Sequence, residues 1–579
     1  MRQLFSLQVC FWHDQTQFEE AVKQFGAPIE VPNAVHFVIP NWVTPNGPLH
    51  LGHASGPYIS ADILRRAIVL GGTEAVYACG TLGHLEHIAV AASERGIDYY
   101  DLADLNTKSI IESFRRLQIL PDVFLDPRPT QRFEQIVHEL FEELRAVEAI
   151  DERETEVPFD PRIERYVVDA HLSGNCPRCG TRAFGHECEG CGSSVLDSEL
   201  QSPTNRAGQA LTHRPLRRMF LDLAKLRPYL QDFRNTAILP SQASCFIDSW
   251  LAGKLPALCI TNPLSEGIPV PLPGYESQRF TVFMEHTARH FFAIEQWLAR
   301  KGIKATWRDL ARRNDIQLSL FFGSDNSFGR LIITPTVTFA VGAKSLVAKR
   351  CYLNHFLLLD GRKFSTGRHH AIWVNDFVKE TNSDFVRFFL TLVRPDPEET
   401  NFTLAQFKAH VDEFWKGQFV KLLCAVRARM EQIQSTELPP AGTWERDDIR
   451  FYKRIMEMDA SITHWYRPDS FDPSLVARRV QEFVQDTLAF IHSCRPWPRQ
   501  ALPSYDHERT QDRLIACALT RISIALYPIT PKIGEMLIDL VEAGRPNMAW
   551  LKRNWLTEPM RTFAVPKIEA IEQHLHLSG

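Results

Sequence analysis

Short apolar runs and longer periodic stretches alternate through the first part of the chain. Ala34-Val-His-Phe-Val-Ile39 is apolar and brief, which predicts a strand buried in a parallel sheet. A loop rich in Pro, Asn and Gly follows, Pro40 to Pro48, and then an amphipathic helical pattern from Gly52 to about Leu70, closed by Gly71-Gly72. Glu74 to Cys79 reads as a second strand and Ile88 to Gly96 as a second helix. Strand, glycine loop and helix in this order open a nucleotide-binding α/β unit. Ahead of it, residues 1–33 form a leader with one helical stretch, Gln17 to Phe25, ended by Gly26 and Pro28. From about residue 136 the texture changes to charged helical sequence and a Cys-rich loop. Strand-like runs return at Phe280-Thr-Val-Phe283 and Leu318-Ser-Leu-Phe-Phe322. The α/β unit is therefore expected to be split by an insertion. After about residue 396 the pattern is long helices with Arg/Lys and Leu/Phe faces, a helical bundle. There is no internal repeat or low-complexity tract.

Composition narrows the classes. The 579 residues are 44% hydrophobic and 23% charged, which excludes a mainly disordered chain. With a formal net charge of -4, no global basic field draws in nucleic acid, and any such contact needs a local patch. No apolar run reaches the roughly 20 residues that span a bilayer, so no membrane partner is expected. The opening MRQLFSLQVCFWHDQ gathers charge too soon for a secretory signal. Of 12 cysteines, four form one cluster and the rest are scattered. That usage fits a metal site in a reducing compartment and predicts a cytoplasmic protein.

The cluster is Cys176-Pro-Arg-Cys179 and Cys188-Glu-Gly-Cys191. Each pair makes a tight knuckle, and two knuckles complete the tetrahedral thiolate set that zinc prefers. All four positions are filled by protein, so the Zn²⁺ is expected to be structural and to hold the insertion together.

Two loops carry the candidate chemistry. His50-Leu-Gly-His53 sits where the first loop meets the first helix, and helix N-termini suit phosphates. Gly52 allows close approach of backbone and adenine. His50 and His53, one turn apart, can donate to one phosphoryl group. Far downstream, Asp360-Gly-Arg-Lys363-Phe-Ser365-Thr-Gly367-Arg368 is a basic Gly/Ser loop. In this order, on either side of the cysteine cluster, the pair resembles the HIGH and KMSKS signatures of class I aminoacyl-tRNA synthetases.

The resemblance is to methionyl-tRNA synthetases and covers about residues 34 to 560. It rests on Pro45-Asn-Gly-Pro-Leu-His-Leu-Gly-His53, the knuckle pair, Phe220-Leu-Asp-Leu-Ala-Lys-Leu226, Gly267-Ile-Pro-Val-Pro271, Phe322-Gly-Ser-Asp325, the lysine loop and Leu526-Tyr-Pro-Ile-Thr-Pro531. It implies an α/β, Rossmann-type catalytic domain in two halves (34–135 and 216–335), a zinc-knuckle insertion (136–215), a stem with the lysine loop (336–395) and an all-α bundle (396–579). It implies ATP and an amino acid as substrates, with Mg²⁺ accompanying ATP. The carboxylate attacks the α-phosphorus, giving aminoacyl-AMP and pyrophosphate by alignment and charge stabilisation. By resemblance His50 and His53 hold the phosphates, Lys363 and Ser365 belong to the loop that stabilises the leaving pyrophosphate, and Gly323 and Asp325 bind the ribose. The family's second loop lysine is Thr366 here.

The amino-acid pocket departs from the family. Thr44 ends a Trp-Val-Thr stretch where Leu-Pro-Tyr is usual, and Leu82 replaces the Asp that holds the substrate amine. Phe283-Met-Glu285-His286-Thr287 replaces Trp-Leu-Asp-Ala-Pro; Arg330 aligns with a pocket histidine and Thr334 with a tryptophan. A buried guanidinium suits a carboxylate better than a thioether. The expected substrate is thus not methionine and has an acidic side chain, unless Arg330 pairs internally with Glu285 or Asp325. Glu86 or Glu285 is left to hold the amine. In the bundle, Lys421-Leu-Leu-Cys-Ala-Val-Arg427 lacks the family's anticodon-reading Asn, while Arg495-Pro-Trp497 resembles its stacking Pro-Trp, as base platform or as packing. The expected function is an adenylate-forming ligase serving a small-molecule acceptor. The synthetase half of hydrazine synthetases is such a paralogue; it passes the amino acid to an N-hydroxylated lysine, with a separate cupin-type partner protein expected here. The alternatives are a divergent enzyme charging tRNA and a non-catalytic tRNA-binding paralogue.

Overall fold

A computed structural model describes residues 34–184, 188, 190–191, 193–364, 370–433, 435–494, 505–541, 548–553 and 555–577. The expected leader helix and Arg495-Pro-Trp497 lie outside the described residues.

Five parallel strands form the central sheet: β1 (Val35–Pro40), β2 (Glu74–Gly80), β3 (Val123–Leu125), β4 (Ile316–Gly323) and β5 (Arg350–Asn354). Their spatial order is β3-β2-β1-β4-β5. This is a doubly wound arrangement, and β1 beside β4 marks the switch point at which ligands bind in such sheets. Both faces are covered. On β1, Val38 enters one core while Val35, Phe37 and Ile39 enter the other, the period of two expected of a strand.

The helical pattern after the first loop is interrupted. A single turn, Leu51–His53, runs into a five-residue π-turn, Ala54–Tyr58, before α1 (Ile59–Leu70) begins. Pro57 lies in the π-turn; it has no N–H to give to the regular ladder, so the turn widens there. The expected strand Phe280–Phe283 is corrected. Only Arg279–Phe280 is extended, and Val282 opens α2 (Val282–Arg300). The apolar positions continue through Ala288, Phe291 and Phe292, all buried, so the short run was the start of a buried helix, an ambiguity that periodicity alone leaves open.

Between β3 and β4 lies a four-stranded antiparallel sheet, in which Ile150–Asp160 pairs with Thr212–Asp222 over ten residue pairs. It carries a three-stranded sheet of Arg182–Phe184, Leu172–Asn175 and Gln201–Asn205 that surrounds the cysteines. Strand β5 falls at 350–354, in the stretch that the sequence assigned to the stem, because its run Arg-Cys-Tyr-Leu-Asn alternates too weakly to announce a core strand.

The C-terminal region is helical, and its core is continuous with one face of the sheet. Residues of β1, β2, α1 and the helices Ser383–Leu392, Pro473–Ser493 and Tyr505–Ile529 share one apolar cluster. Helix α1 is buried at ten of its twelve positions, which identifies an element enclosed on all sides.

Candidate active site

The phosphate loop is built by local capping. His50 precedes the turn as its N-cap: the His53 N–H donates to His50 Nδ1 (3.3 Å), and the His50 N–H donates to His53 Nδ1 (3.4 Å). With both Nδ1 atoms accepting, each neutral ring carries its proton on Nε2 and offers it as a donor. The rings stack at 3.7 Å, 12° from parallel. Burial, and for His50 also its neighbour His53, lowers the two pKa values to about 2 and about 4. Both imidazoles are neutral donors at pH 7.

The lysine loop reaches this turn. Arg362–Lys363 pairs with Leu357–Leu359 in a hairpin, and the next residue, Phe364, stacks its ring on His50 at 4.9 Å. A side chain added at Gly52 would meet the His50 imidazole at 3.1 Å and the Phe364 ring at 3.2 Å, so one or both rings would have to shift by a few tenths of an ångström. Backbone bonds from Leu51 N to Ile372 O (3.0 Å) and from Val374 N to Leu49 O (2.9 Å) tie the segment after the lysine loop to the phosphate loop. Lys363 is exposed, its ammonium 3.9 Å over the Phe356 ring. Ser365 and Thr366 lie outside the described residues.

These parts border a cleft of about 890 Å³ at the C-terminal edge of the sheet. His50, Gly52, His53 and Lys363 line it, with Thr44, Leu82, Gly323 and Asp325. A side chain at Gly323 would lie 2.6 Å from Asp325 Oδ1; the missing Cβ lets that carboxylate fold back beside β4.

Three predicted pocket residues are placed elsewhere. Phe283 borders a smaller cavity of about 50 Å³ with Leu196, Asp197 and Cys259. Glu285 is fully buried, 2.6 Å from His84 Nδ1 and 3.6 Å from Arg289. Arg330 is 3% exposed; its Nε and Nη2 donate to Asn41 Oδ1 at 2.8 and 2.5 Å. The cleft instead receives Val282 and His286. They are four apart on α2, hence on one face of its first turn, and helical spacing was the signal that could have found them. Leu85, His87, Asn41 and Asn326 also line the cleft without any sequence signal. Glu86, proposed from sequence for the amine, is occupied by His171 (2.8 Å) and by the Ser265 N–H and hydroxyl (2.8 and 2.9 Å).

The sequence matches the family described as tRNA synthetases class I (M) over residues 36–424, most of the chain and every described cleft residue. The chain belongs to that family. It is 26% identical to the methionine–tRNA ligase of Pyrobaculum calidifontis over 515 residues, 86% of this chain and 88% of the relative. With that of Cytophaga hutchinsonii it shares 27% over 537 residues, 86% and 76% of the two chains. Among solved structures it resembles Mycobacterium tuberculosis methionyl-tRNA synthetase in complex with methionyl-adenylate, with a TM-score of 0.71 and 17% identity, covering 91% of this chain and 98% of that one. Class I synthetases are ATP-dependent ligases that form aminoacyl adenylates, and this chain is an enzyme of that class.

The synthetase's four clustered thiols converge. The Sγ atoms of Cys176, Cys179, Cys188 and Cys191 all lie within 4.8 Å of one another, Cys179 and Cys188 at 3.5 Å and Cys176 and Cys191 at 3.9 Å. Zn–S bonds of about 2.3 Å in a tetrahedron put sulfurs about 3.8 Å apart, so this donor set fits zinc. The Cys-Pro-Arg-Cys turn also docks the synthetase's insertion: Arg178 lies 3.8 Å over Trp250, which meets Phe328 edge-on at 4.9 Å in the turn that carries Arg330. From the same module Arg182 and Phe184 line the cleft. No helix among the described residues is long and apolar enough to cross a membrane.

Proposed function

We propose that the cleft activates an amino acid other than methionine as its adenylate and passes it to a small nucleophile. The reading is carried by one observation: Phe364, next to Lys363, stacks on His50, so both signature loops face one cavity. An ATP laid there meets the Nε2–H donors of His50 and His53 at its phosphates and the Lys363 ammonium at the leaving pyrophosphate. Ser365 and Thr366 belong to the same loop, the absent side chain at Gly52 makes room for His50 and Phe364 to stack, and Asp325 beside Gly323 accepts from the ribose. A carboxylate oxygen bonds to the α-phosphorus, the bond to the bridging oxygen breaks, and pyrophosphate leaves with that electron pair. Mg²⁺ travels on the phosphate oxygens, as it does in sites that supply few protein carboxylates.

The case against methionine rests on what borders the amino-acid end. His286 and His87 place imidazoles there beside Leu82. Imidazoles suit a hydrogen-bonding side chain better than a thioether. The acceptor reading rests on Arg427, bound to Glu572 (3.3 Å) and Glu431 (3.4 Å) in the bundle, and so engaged internally where an anticodon reader is expected. An N-hydroxylated amine, with a cupin-type partner completing the chemistry, is one such acceptor, the one used by the synthetase half of hydrazine synthetases. The second reading, tRNA charging, is favoured by the names of the relatives. Eleven described cysteines carry no disulfide, which supports a reducing, cytoplasmic location.

Amino-acid-dependent ATP–pyrophosphate exchange across the standard amino acids tests the proposal. Exchange with a polar substrate is expected; methionine as the best substrate overturns the pocket reading, and aminoacylation of bulk tRNA overturns the acceptor reading. Absence of exchange with any of them overturns activation itself.

A further inference from the structure

Polar side chains from the ends of β1 and β4 touch in a single file. Arg330 donates to Asn41 Oδ1 through Nε (2.8 Å) and Nη2 (2.5 Å). Asn41 Nδ2 donates to Asn326 Oδ1 (2.9 Å). Asn326 Nδ2 donates to Asp325 Oδ1 (2.8 Å). A guanidinium has only donors and an ionised carboxylate only acceptors. With these at the two ends, neither amide can turn over. A flipped Asn41 would set its NH₂ against the guanidinium, and a flipped Asn326 would set oxygen against the carboxylate. The direction of the whole file is fixed from both ends, by the donors of Arg330 and the acceptors of Asp325.

The guanidinium itself is held from behind. It is 3% exposed, and its Nη1 lies 3.4 Å from His290 Nε2. Burial and the adjacent Arg330 charge hold His290 well below the ordinary imidazole range, so the ring is neutral and accepts through Nε2. Arg330 sits in a π-turn, Phe328–Ile333, and π-turns are frequent at functional sites. The file crosses the switch point, since Asn41 follows β1 and Asp325 and Asn326 follow β4; the Asn41 N–H also donates to Phe321 O (2.7 Å). Asn41, Asn326 and Asp325 line the cleft and Arg330 stands behind them. The guanidinium therefore acts on a ligand only through its neighbours.

We propose that Arg330 is a positioning residue for nucleotide recognition. Through Asn41 and Asn326 it fixes the rotamer of Asp325, so that the carboxylate is presented to the ribose hydroxyls. Successive hydrogen bonds polarise one another, so the far carboxylate feels the buried charge without touching it. This rests on Asp325 being the ribose acceptor. It replaces the direct grip on a substrate carboxylate that the sequence suggested for Arg330.

Titration calorimetry of the full chain with ATP and with 2′,3′-dideoxy-ATP tests it without the amino acid. The unaltered protein is expected to prefer ATP at least tenfold. Arg330→Met should weaken ATP binding about tenfold and leave dideoxy-ATP within twofold. Arg330→Lys, which keeps a donor to Asn41, should recover part of the loss. Asn326→Leu breaks the file at its other end with Arg330 intact, and should match Arg330→Met should that variant fold poorly. Equal weakening for both nucleotides, or no change for either, overturns the proposal. Asp325→Ala separates the two ideas. If it keeps the preference for ATP, the ribose reading fails. If it abolishes the preference while Arg330→Met and Asn326→Leu keep it, the positioning role alone fails.

Discussion

At the scale of single residues, the phosphate loop depends on two imidazoles that are neutral by burial rather than by pH. Their lowered pKa values, about 2 and about 4, lie far below neutrality, so neither ring ionises between pH 6 and 8. KM for ATP in pyrophosphate exchange is expected to be flat over that range. A titration near 6.5 that disappears in His53→Asn would contradict the assignment. His50→Ala or His53→Ala should lower kcat by roughly 10²-fold, the loss typical of a preorganised donor to developing charge. Stability behaves differently. His36, with a pKa lowered to about 3, and His410, lowered to about 4, join the loop pair. Each folded pKa is depressed below the unfolded 6.5, so the unfolded chain takes up protons first. Stability is therefore retained above about pH 6.5 and falls as pH drops from there toward the folded values. Each such histidine costs about 1.4 kcal/mol by pH 5.5. Urea midpoints at pH 7.5 and 5.5 check this, and a higher midpoint at the lower pH would refute it.

At the scale of elements, the legible features were those with strict local rules. The strand-loop-turn opening, the two knuckles and the long C-terminal helices follow from periodicity, ligand spacing and glycine placement. Less legible was which side of a helix faces a ligand. Phe283 and Glu285 lie on the same helix as two cleft residues, yet α2 turns Val282 and His286 to the cleft and sends Glu285 to a buried partner, His84. Arg330 was expected at the amino acid, but its partner Asn41 is nearly 300 residues away, a pairing no local pattern encodes. The cysteine module makes a prediction of its own. Its core is small: Val167, Leu172, Ala183, Val195 and Leu200 around the thiols Cys176 and Cys188. So little apolar burial needs a metal. Cys188→Ser should lose zinc, measured by atomic emission, and make the 165–205 stretch protease-sensitive while the rest of the chain stays folded. Arg178→Ala should keep zinc. By releasing the module from Trp250 it should raise KM for the amino acid several-fold; unchanged kinetics would show that the docking contact has no bearing on the cleft.

At the scale of the whole molecule, sheet and bundle are bolted together by buried charge. Asp62 on α1 accepts from Arg66 (2.9 Å) and from Arg387 (2.7 Å) in the helix Ser383–Leu392. Burial alone would raise the Asp62 carboxyl, but the two guanidinium groups outweigh it and hold it below its usual range. Arg387 also donates to the carbonyls of Leu117, Pro528 and Ile529. Removing one member of such a network leaves the others unsatisfied. Arg387→Met is expected to cost roughly 3–5 kcal/mol in a transition that melts sheet and bundle together, read by coincident far-UV and tryptophan signals. Two separate transitions would contradict a shared core.

The enclosure of α1 carries this further. The helix that follows the paired histidines and the π-turn has the sheet on one flank and the bundle on the other. A chain cut after residue 395 would keep the Asp62–Arg387 pair but strip Arg387 of the Pro528 and Ile529 carbonyls and bare part of that second flank. Losing the C-terminal helices would therefore cost more than the helices themselves, because they are the outer wall of the half that carries the phosphate loop.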